Sequence, residues 1–571
     1  MHRQIQKSED GSRGKEARGQ RSEVSDSIST FCLLLAALLL VGGCSKSPTS
    51  DLRSPSAGPA SPTPWASNSV LRVHWAGKQT LGIDASAYSF MRLWNLPESK
   101  QVEAQLLQKL YTAPWRSSAG QAAPANDASA ALQPLLDDVL NQEGCLEIRA
   151  ASGQSEQWVY AFRANSARAA IWQLNLAEVL SSTEGAYPSK RGSGWMLQSP
   201  RTGQSYELER TGDWIVCGIS AGTNALFREI VDRIQREQVP FTLTTNAHWL
   251  AVEVDLGWVM GQRTEVKGQK SAGPRITLLV TGDGANTLVT GDVTFAQPLQ
   301  LNLEPWNFPQ GQMTGPVVGF SAVRGIGPWL AQTNAWTNGK LGSAPNQIFT
   351  WAEARAPLQM HLAAPAPTAR ETTHALGDTF ARHVNGWLAE HALGSVAPWP
   401  DASAAVWKDL PMIAPYLTST NPGWLQGGTS PSALPDAKPP EIYPRPTREE
   451  LFTTVASRTN LVAYQWETTG SRAESVHILG QILRAVFRHP QIPANTGSAQ
   501  WLQAARNRLG NCTTVVTLTA PNKLAFERKS TTGFSAFELH VIADWMESPD
   551  FPRGFYSTLS PVGPALQPAG K

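Results

Sequence analysis

The chain has 571 residues, of which 41% are apolar, with 48 basic and 46 acidic side chains and a net charge of +2. This apolar content is enough for the core of two or three domains, which excludes a wholly disordered chain. No long basic stripe occurs, and phosphate binding requires clustered positive charge. Nucleic acid is therefore not expected as a partner.

The N-terminal region contains an apolar run from Phe31 to Val41, followed by Gly42, Gly43 and Cys44. The run is too short to span a bilayer, which takes about 20 apolar residues. Its length and its small-residue ending are typical of a signal peptide. The stretch "LVGGC" resembles the bacterial lipobox. This resemblance implies cleavage before Cys44, a diacylglycerol on its sulfur and an acyl chain such as palmitate on its new amine. Residues 1–43 are thus predicted to be a lipoprotein signal peptide.

The flanking residues refine this prediction. Ser45 stands where an aspartate is associated with inner-membrane retention, so sorting to the outer membrane is favoured. The 30 residues before the apolar run carry nearly balanced charges, unlike the short basic segment usual in lipoproteins. An internal apolar helix with an incidental cysteine is the alternative interpretation. Residues 44–69 are rich in serine and proline and predict an extended tether between the lipid and the folded body.

The body repeats one pattern: a strand, one or two helices, a hairpin, then often another helix. "SVLRVHWAG" is followed by a helix over about Ala128–Gln142 and by the hairpin "CLEIRA" and "QWVYAFRA". "NLVAYQWE" is followed by two helices and by the hairpin "CTTVVTLT" and "LAFERKS". Strands joined by short turns are antiparallel. The prediction is an α+β fold of repeated strand–helices–hairpin units, with helices packed on antiparallel sheets.

Changes in composition suggest the domain boundaries. We predict a first half at 70–297, a connector at 298–314, a second half at 315–548 and a tail at 549–571. The second half includes a long Pro- and Trp-rich segment at 394–450. Over about residues 70–240 the architecture loosely resembles a broad group of uncharacterised bacterial extracytoplasmic proteins. That group has no assigned chemistry, so the resemblance implies a fold and a location only.

One motif points to catalysis. Gly218, Ser220 and Gly222 match G-x-S-x-G between a strand, "TGDWIV", and a helix. Serine hydrolases expose their nucleophile on such a turn. However, the strands before Ser220 predict an antiparallel meander, whereas that enzyme fold needs a mostly parallel sheet. The alternative is a tight turn at Gly222, with Thr223 capping the following helix.

Two E-x-x-H pairs, Glu371 with His374 and Glu474 with His477, have the helical spacing used in di-iron bundles. No four-helix bundle is predicted, and hydrogen-bonded pairs on a helix surface explain each pair equally well. The sequence therefore predicts neither a metal nor a cofactor.

Three cysteines follow Cys44, and each lies at or within an apolar strand. Buried free thiols are the favoured interpretation of Cys145, Cys217 and Cys512. A Cys145–Cys217 disulfide is the alternative.

Tryptophan is abundant, with 21 residues against 9 tyrosines. Trp399, Trp407 and Trp424 lie in the Pro-rich segment, where exposed rings can bind sugars or proteins. Core filling is the alternative. Taken together, the sequence predicts an envelope lipoprotein held to the membrane through Cys44. Its role is expected to be structural or the non-catalytic binding of an envelope protein or glycan. The competing hypothesis is an envelope serine hydrolase that uses Ser220.

Overall fold

The structure is a computed structural model, and it describes residues 62–556 except for several short stretches. These stretches are 67, 117–125, 151–155, 245–246, 260–264, 267–268, 271–272, 334–335, 337–342, 354–358, 391–392, 399–403, 411–413, 430–444, 487–491, 550 and 553. Unit 1 comprises Met1–Thr80, Pro97–Thr245 and Trp545–Tyr556, and unit 2 comprises Leu81–Leu96, Asn246–Asp544 and Ser557–Lys571. The halves drawn from composition stay a prediction.

Unit 1 contains an antiparallel sheet of seven strands. Their spatial order is β1, β2, β3, β7, β6, β5, β4. The strands are β1 Ser69–Trp75, β2 Gly144–Arg149, β3 Gln157–Arg163, β4 Ser189–Arg191, β5 Gly194–Gln198, β6 Ser205–Thr211 and β7 Trp214–Ser220.

Unit 2 contains a longer antiparallel run of strands. Their order is β8, β11, β12, β22, β21, β20, β13, β14, β15, β19, β18, β17, β16. A separate two-stranded sheet is formed by β9 and β10. The strands are β8 Leu250–Asp255, β9 Glu265–Val266, β10 Gln269–Lys270, β11 Arg275–Gly282, β12 Thr287–Thr294, β13 Val317–Arg324, β14 Gln347–Glu353, β15 Met360–Pro365, β16 Ser395–Pro398, β17 Ala404–Lys408, β18 Tyr416–Thr418, β19 Trp424–Gly428, β20 Leu461–Thr468, β21 Asn511–Ala520 and β22 Lys523–Ser530.

Helices fill most of the longer connections between strands. They are α1 Lys78–Ile83, α2 Tyr88–Trp94, α3 Pro97–Arg116, α4 Asn126–Asn141, α5 Ser166–Glu184, α6 Ala225–Glu237, α7 Leu256–Val259, α8 Gly327–Leu330, α9 Ala369–Glu390, α10 Arg448–Ala456, α11 Thr469–Val486, α12 Gly497–Ala505 and α13 Ala536–Glu547, with 3₁₀ turns at Ala85–Ala87 and Arg506–Arg508. None of the helices in the described part of the chain has the length and apolar content needed to cross a membrane.

Each unit buries one face of its sheet under helices. In unit 1, α6 covers β3 and β7 with an apolar stripe that includes Leu226, Ile230 and Ile234. In unit 2, the core around Phe320, Phe349 and Trp466 packs against α10. Trp306 and Phe308 also pack against this core, so the predicted connector 298–314 contributes to the body of unit 2.

The α+β prediction is confirmed, and antiparallel sheets with helices are present in both units. The Pro- and Trp-rich segment 394–450 contains four short strands, β16 to β19, which the sequence analysis did not predict. They add to the sheet through β19, which pairs with β15. Strands of three to five residues are too short to show an alternating pattern in the sequence.

Candidate functional site

Ser220 is the last residue of β7 and is 2% exposed. Its hydroxyl donates a hydrogen bond to the carbonyl oxygen of Gly222 over 2.7 Å. No described histidine forms a hydrogen bond with this hydroxyl. The Ser220 side chain thus closes the turn between β7 and α6. This arrangement agrees with the tight turn at Gly222, the alternative that the predicted antiparallel meander favours.

Both glycines of the G-x-S-x-G motif are needed for this turn. A Cβ on Gly218 would lie 2.6 Å from Cδ2 of Phe227, so glycine lets α6 approach β7 closely. Gly222 has a φ of 141°, a backbone angle that residues other than glycine rarely adopt. The predicted cap at Thr223 is wrong. The N-cap is Asn224, whose side chain accepts a hydrogen bond from the amide of Phe227.

The first E-x-x-H pair lies on α9. Nδ1 of His374 is 3.0 Å from Oδ2 of Asp378, one turn further along the same helix, and both side chains are about half exposed. The second pair lies on α11. Glu474 forms an ion pair with Arg506, at 3.1 Å.

His477, the other member of the second pair, faces a different histidine. Its ring lies 6.0 Å from the ring of His540 on α13, and Arg484 and Asp544 form an ion pair between the same two helices. Within the described residues, no group of three or more His, Cys, Asp or Glu side chains is placed so that it could hold a metal ion. The two pairs therefore do not meet at one site.

The three described cysteines are free. Cys145 on β2 lies opposite Ala161 of β3, which in turn lies opposite Val216 of β7. Cys217 is the next residue along β7, so its side chain points to the other face of the sheet. A Cys145–Cys217 disulfide is excluded in this arrangement because β3 lies between the two strands. Burial raises the pKa of Cys217 to about 12, so its thiol stays protonated.

The tryptophans of the Pro-rich segment have packing contacts. Trp407 on β17 donates its indole N–H to the carbonyl of Leu393 over 2.8 Å. Trp424 on β19 packs against Phe349 of the unit 2 core, with 6.3 Å between ring centres. Trp399 lies outside the described residues. Trp329, on the short helix α8, is 67% exposed and belongs to a Pro-Trp pair.

A cavity of about 320 Å³ lies on the sheet of unit 2, beside the first turn of α11. Its floor contains two adjacent cross-strand rows. Gly319, Ala352 and Met360 belong to the first row, and Ser321, Thr350 and Leu362 belong to the second. Residues directly opposite each other share a face of the sheet, and so do alternate residues of one strand. The two rows therefore give this face a mixed apolar and hydroxyl surface.

Arg472 from α11 crosses the floor of this cavity. A Cβ on Gly319 would lie 3.2 Å from both Cδ and Nε of Arg472, so glycine provides the space for this side chain. Nη2 of Arg472 lies 3.7 Å from Sδ of Met360, and Nη1 is buried without a hydrogen-bond partner. Within the described residues, no carboxylate lies within 4 Å of the guanidinium group. Burial lowers the pKa of Arg472 and the charge of Glu467 opposes this fall, so arginine keeps its charge at any physiological pH.

Glu467 of β20 also lines the cavity, but its carboxylate is engaged elsewhere. Oε1 accepts a hydrogen bond from the amide of Ala536 at the start of α13, over 2.6 Å. Oε2 accepts from the side-chain amide of Gln465 over 3.4 Å. Burial raises the pKa of Glu467, and the bond from Ala536 and the charge of Arg472 oppose this rise. Glu467 thus helps to fix α13.

His361 is the histidine of the cavity lining. Nδ1 lies 3.3 Å from the hydroxyl of Tyr416, and the ring stacks on Trp351 with 5.2 Å between ring centres. Nε2 is 3.7 Å from Oε1 of Glu353 and has no hydrogen-bond partner. Burial lowers the pKa of His361, which favours the neutral imidazole.

The sequence did not indicate this cavity. Gly319, Met360, Glu467 and Arg472 lie on four elements and match no motif. An arginine four residues after the end of a strand is ordinary in a helical first turn. Only the pairing of β13 with both β14 and β20 brings these residues together.

The comparisons with known proteins give no functional assignment. No family model matches the chain, and no curated protein is significantly similar to it. One solved structure, described as "Structure of crystal form III of TP0453", aligns with 43% of this chain and 80% of its own at 8% identity and a TM-score of 0.22. A similarity at this level carries no argument about fold or function.

Proposed function

We propose that this protein is a bacterial envelope lipoprotein, anchored through lipid on Cys44, that binds a small ligand without chemical conversion. The observation that carries the binding role is the cavity of about 320 Å³ on unit 2, with Arg472 across its floor. A volume of this size is at the lower end of the range for small-molecule sites. The lipobox-like stretch before Cys44 supports the anchor, and Ser45 supports sorting to the outer membrane.

The hydrolase alternative has less support. A catalytic serine needs an accessible hydroxyl within reach of a base. Ser220 is buried, and its hydroxyl is bonded to the backbone of its own turn. A partner surface that includes Trp399, Trp407 and Trp424 stays a prediction, for an envelope protein or a glycan.

We also propose that the body contains repeated units, as its sequence pattern indicates. The order of connections is the same in two places. After β1, β2 and β3 come α5 and four more strands, β4 to β7, and β7 pairs with β3. β13, β14 and β15 are followed by α9 and four short strands, the last of which pairs with β15.

Metabolic labelling with an alkyne fatty acid tests the anchor. The full-length protein, expressed in a bacterial host, is expected to acquire the label and to sediment with membranes. Cys44→Ala should lose both properties, whereas the matched variant Cys32→Ala should keep them. Labelling that persists in Cys44→Ala would rule out this anchor.

Fluorophosphonate labelling tests the absence of hydrolase chemistry. The wild-type protein and Ser220→Ala are expected to be equally unreactive, in samples shown by circular dichroism to be folded. Labelling of the wild type that Ser220→Ala abolishes would establish the serine hydrolase instead.

A further inference from the structure

We propose that the cavity of unit 2 binds a small organic carboxylate whose charged group pairs with Arg472. This inference rests on the proposed binding role and specifies the chemical class of the ligand.

The first argument is charge. The guanidinium group of Arg472 lies against a thioether sulfur, and one of its nitrogens is buried without a partner. A desolvated cation without a counter-charge is costly, and proteins normally pair it with a carboxylate. The charge of Glu467 favours the charged form of Arg472 from a distance, but Glu467 forms no ion pair with Arg472, and both of its oxygens accept hydrogen bonds from other groups. A bound anion would supply a short-range counter-charge on the side of the cavity, where Nη2 lies against the sulfur of Met360, and a carboxylate matches the planar donor edge of arginine.

The second argument is the space that Gly319 leaves above β13. Gly319 leaves room for Arg472 to lie flat across β13. A Cβ at 319 would lie 3.2 Å from both Cδ and Nε, so a larger residue would require Arg472 to shift by a few tenths of an ångström. The side chain thus reaches from α11 to Met360 on β15 and faces the cavity along its length.

The third argument concerns the uncharged part of the ligand. Ala352, Met360 and Leu362 form an apolar strip beside Arg472, while Ser321 and Thr350 add hydroxyl groups. The volume corresponds to about ten water-sized groups. Inorganic phosphate or acetate would leave the apolar strip uncovered. A monocarboxylate with a short hydrocarbon chain would use both features.

Isothermal titration calorimetry tests this proposal on residues 44–571 carrying Cys44→Ser, which retain every described residue. The probes are sodium hexanoate, sodium acetate, inorganic phosphate and neutral hexanamide. Hexanoate is expected to bind at least about tenfold more tightly than each of the other three, since it alone offers both a carboxylate and a chain.

The key variant is Arg472→Gln, and its matched control is Arg506→Gln, which removes an exposed arginine close to the same helix. Arg472→Gln should weaken hexanoate binding by about tenfold or more, whereas Arg506→Gln should leave it unchanged. Arg472→Lys, which retains the charge, should lose less affinity than Arg472→Gln. Arg472→Lys therefore separates the effect of charge from an effect on folding. Circular dichroism of each variant monitors its folding.

The remaining outcomes each overturn the carboxylate proposal in a recognisable way. Equal binding of hexanamide would keep a ligand-binding role but refute the requirement for an anion. Phosphate as the tightest ligand would assign the site to a phosphate group. Hexanoate binding that Arg472→Gln leaves unchanged would place the ligand elsewhere. No binding of any probe by the folded wild type would refute the carboxylate site, and the fatty-acid and fluorophosphonate experiments would still judge the anchor and the non-catalytic role separately.

Discussion

Gly218 shows how one residue without a side chain shapes unit 1. It lies on β7 directly beneath Phe227 of α6, and the helix rests on the strand at this point. In the sequence, Gly218 matched a catalytic motif. A G-x-S-x-G turn and a close helix–strand contact both require small residues at these positions, so one pattern fits both explanations. The motif alone could not separate the two, although the antiparallel meander before it favoured the turn, since Phe227 becomes a neighbour of Gly218 only when α6 folds back on the sheet.

Gly218→Ala should destabilise the protein by about 1–3 kcal/mol, because the added methyl group would overlap the Phe227 ring. Guanidinium denaturation monitored by circular dichroism measures this loss. Gly386→Ala is the control, since a Cβ at this position in α9 meets nothing within 4 Å. It should be neutral or slightly stabilising because alanine favours a helix. Equal stability of the two variants would contradict the close contact at Gly218.

His540 gives the protein a pH-dependent stability. Its ring packs between α13 and α11, where it meets Gly480 and His477. Burial, together with the nearby charges of Arg484 and His477, lowers the pKa of His540 to about 4, against an opposing effect of Asp544. The unfolded chain, with an ordinary histidine pKa of about 6.5, therefore binds more protons than the native state between pH 6.5 and 4.

The free energy of unfolding should consequently fall as the pH drops from 6.5 to 4. His540 should contribute at most about 3 kcal/mol to this fall, and its contribution should level off below pH 4. His540→Gln should have a shallower dependence of the unfolding free energy on pH than the wild type. Chemical denaturation at a series of pH values from 7.5 to about 4 checks this difference. Parallel curves for the two proteins would show that His540 is not responsible.

At the scale of elements, Arg324 links three segments of unit 2 through hydrogen bonds. From the end of β13, this 3% exposed side chain donates to the carbonyl oxygens of Glu304, Leu461 and Thr459. Its guanidinium group also lies 4.7 Å from the centre of the Trp306 ring. The Pro-rich stretch around Trp306 is thereby fixed to the start of β20, although its composition predicts a simple connector.

Arg324→Ala should cost roughly 3 kcal/mol or more, because it leaves the carbonyl groups of Glu304, Leu461, Thr459 and Arg458 without this donor. Arg324→Lys should recover only part of this loss, since one ammonium group cannot reproduce the planar arrangement of donors. Hydrogen exchange followed by mass spectrometry should show faster exchange at 302–308 and 458–461 in both variants. Exchange that stays at the wild-type rate would mean that other contacts hold the two segments.

The elements that the sequence predicted well are those with strong local patterns. The strands β1, β2, β3, β20, β21 and β22 and the helices α4, α11 and α12 lie where alternation and helical spacing indicated. β16 to β19 and the Asn224 cap were missed. The strands β16 to β19 depend on the pairing of β19 with β15, and the position of the cap depends on the path of the turn before α6. The Arg472 cavity was missed for the same reason, since no local pattern marks residues that meet across three strands and a helix.

At the scale of the whole chain, strand pairing does not follow the boundaries that composition suggests. β12, at Thr287–Thr294, lies in the predicted first half, and β22, at Lys523–Ser530, lies in the predicted second half. The two strands pair over eight residues, and both belong to unit 2. Gly291 on β12 lies against the Phe526 ring of β22, where a Cβ would come within 2.7 Å.

A fragment of residues 315–548 should therefore leave the edge of β22 without its partner strand. Exposed edges that carry apolar side chains such as Phe526 and Leu524 pair with other molecules, so this fragment should associate at micromolar concentration. A fragment of residues 246–548 restores β8, β11 and β12 and should associate less. Size-exclusion chromatography with light scattering distinguishes the two fragments. If 315–548 is monomeric and unfolds as cooperatively as 246–548, the second half folds independently and the boundary at 298–314 is the better description of the chain.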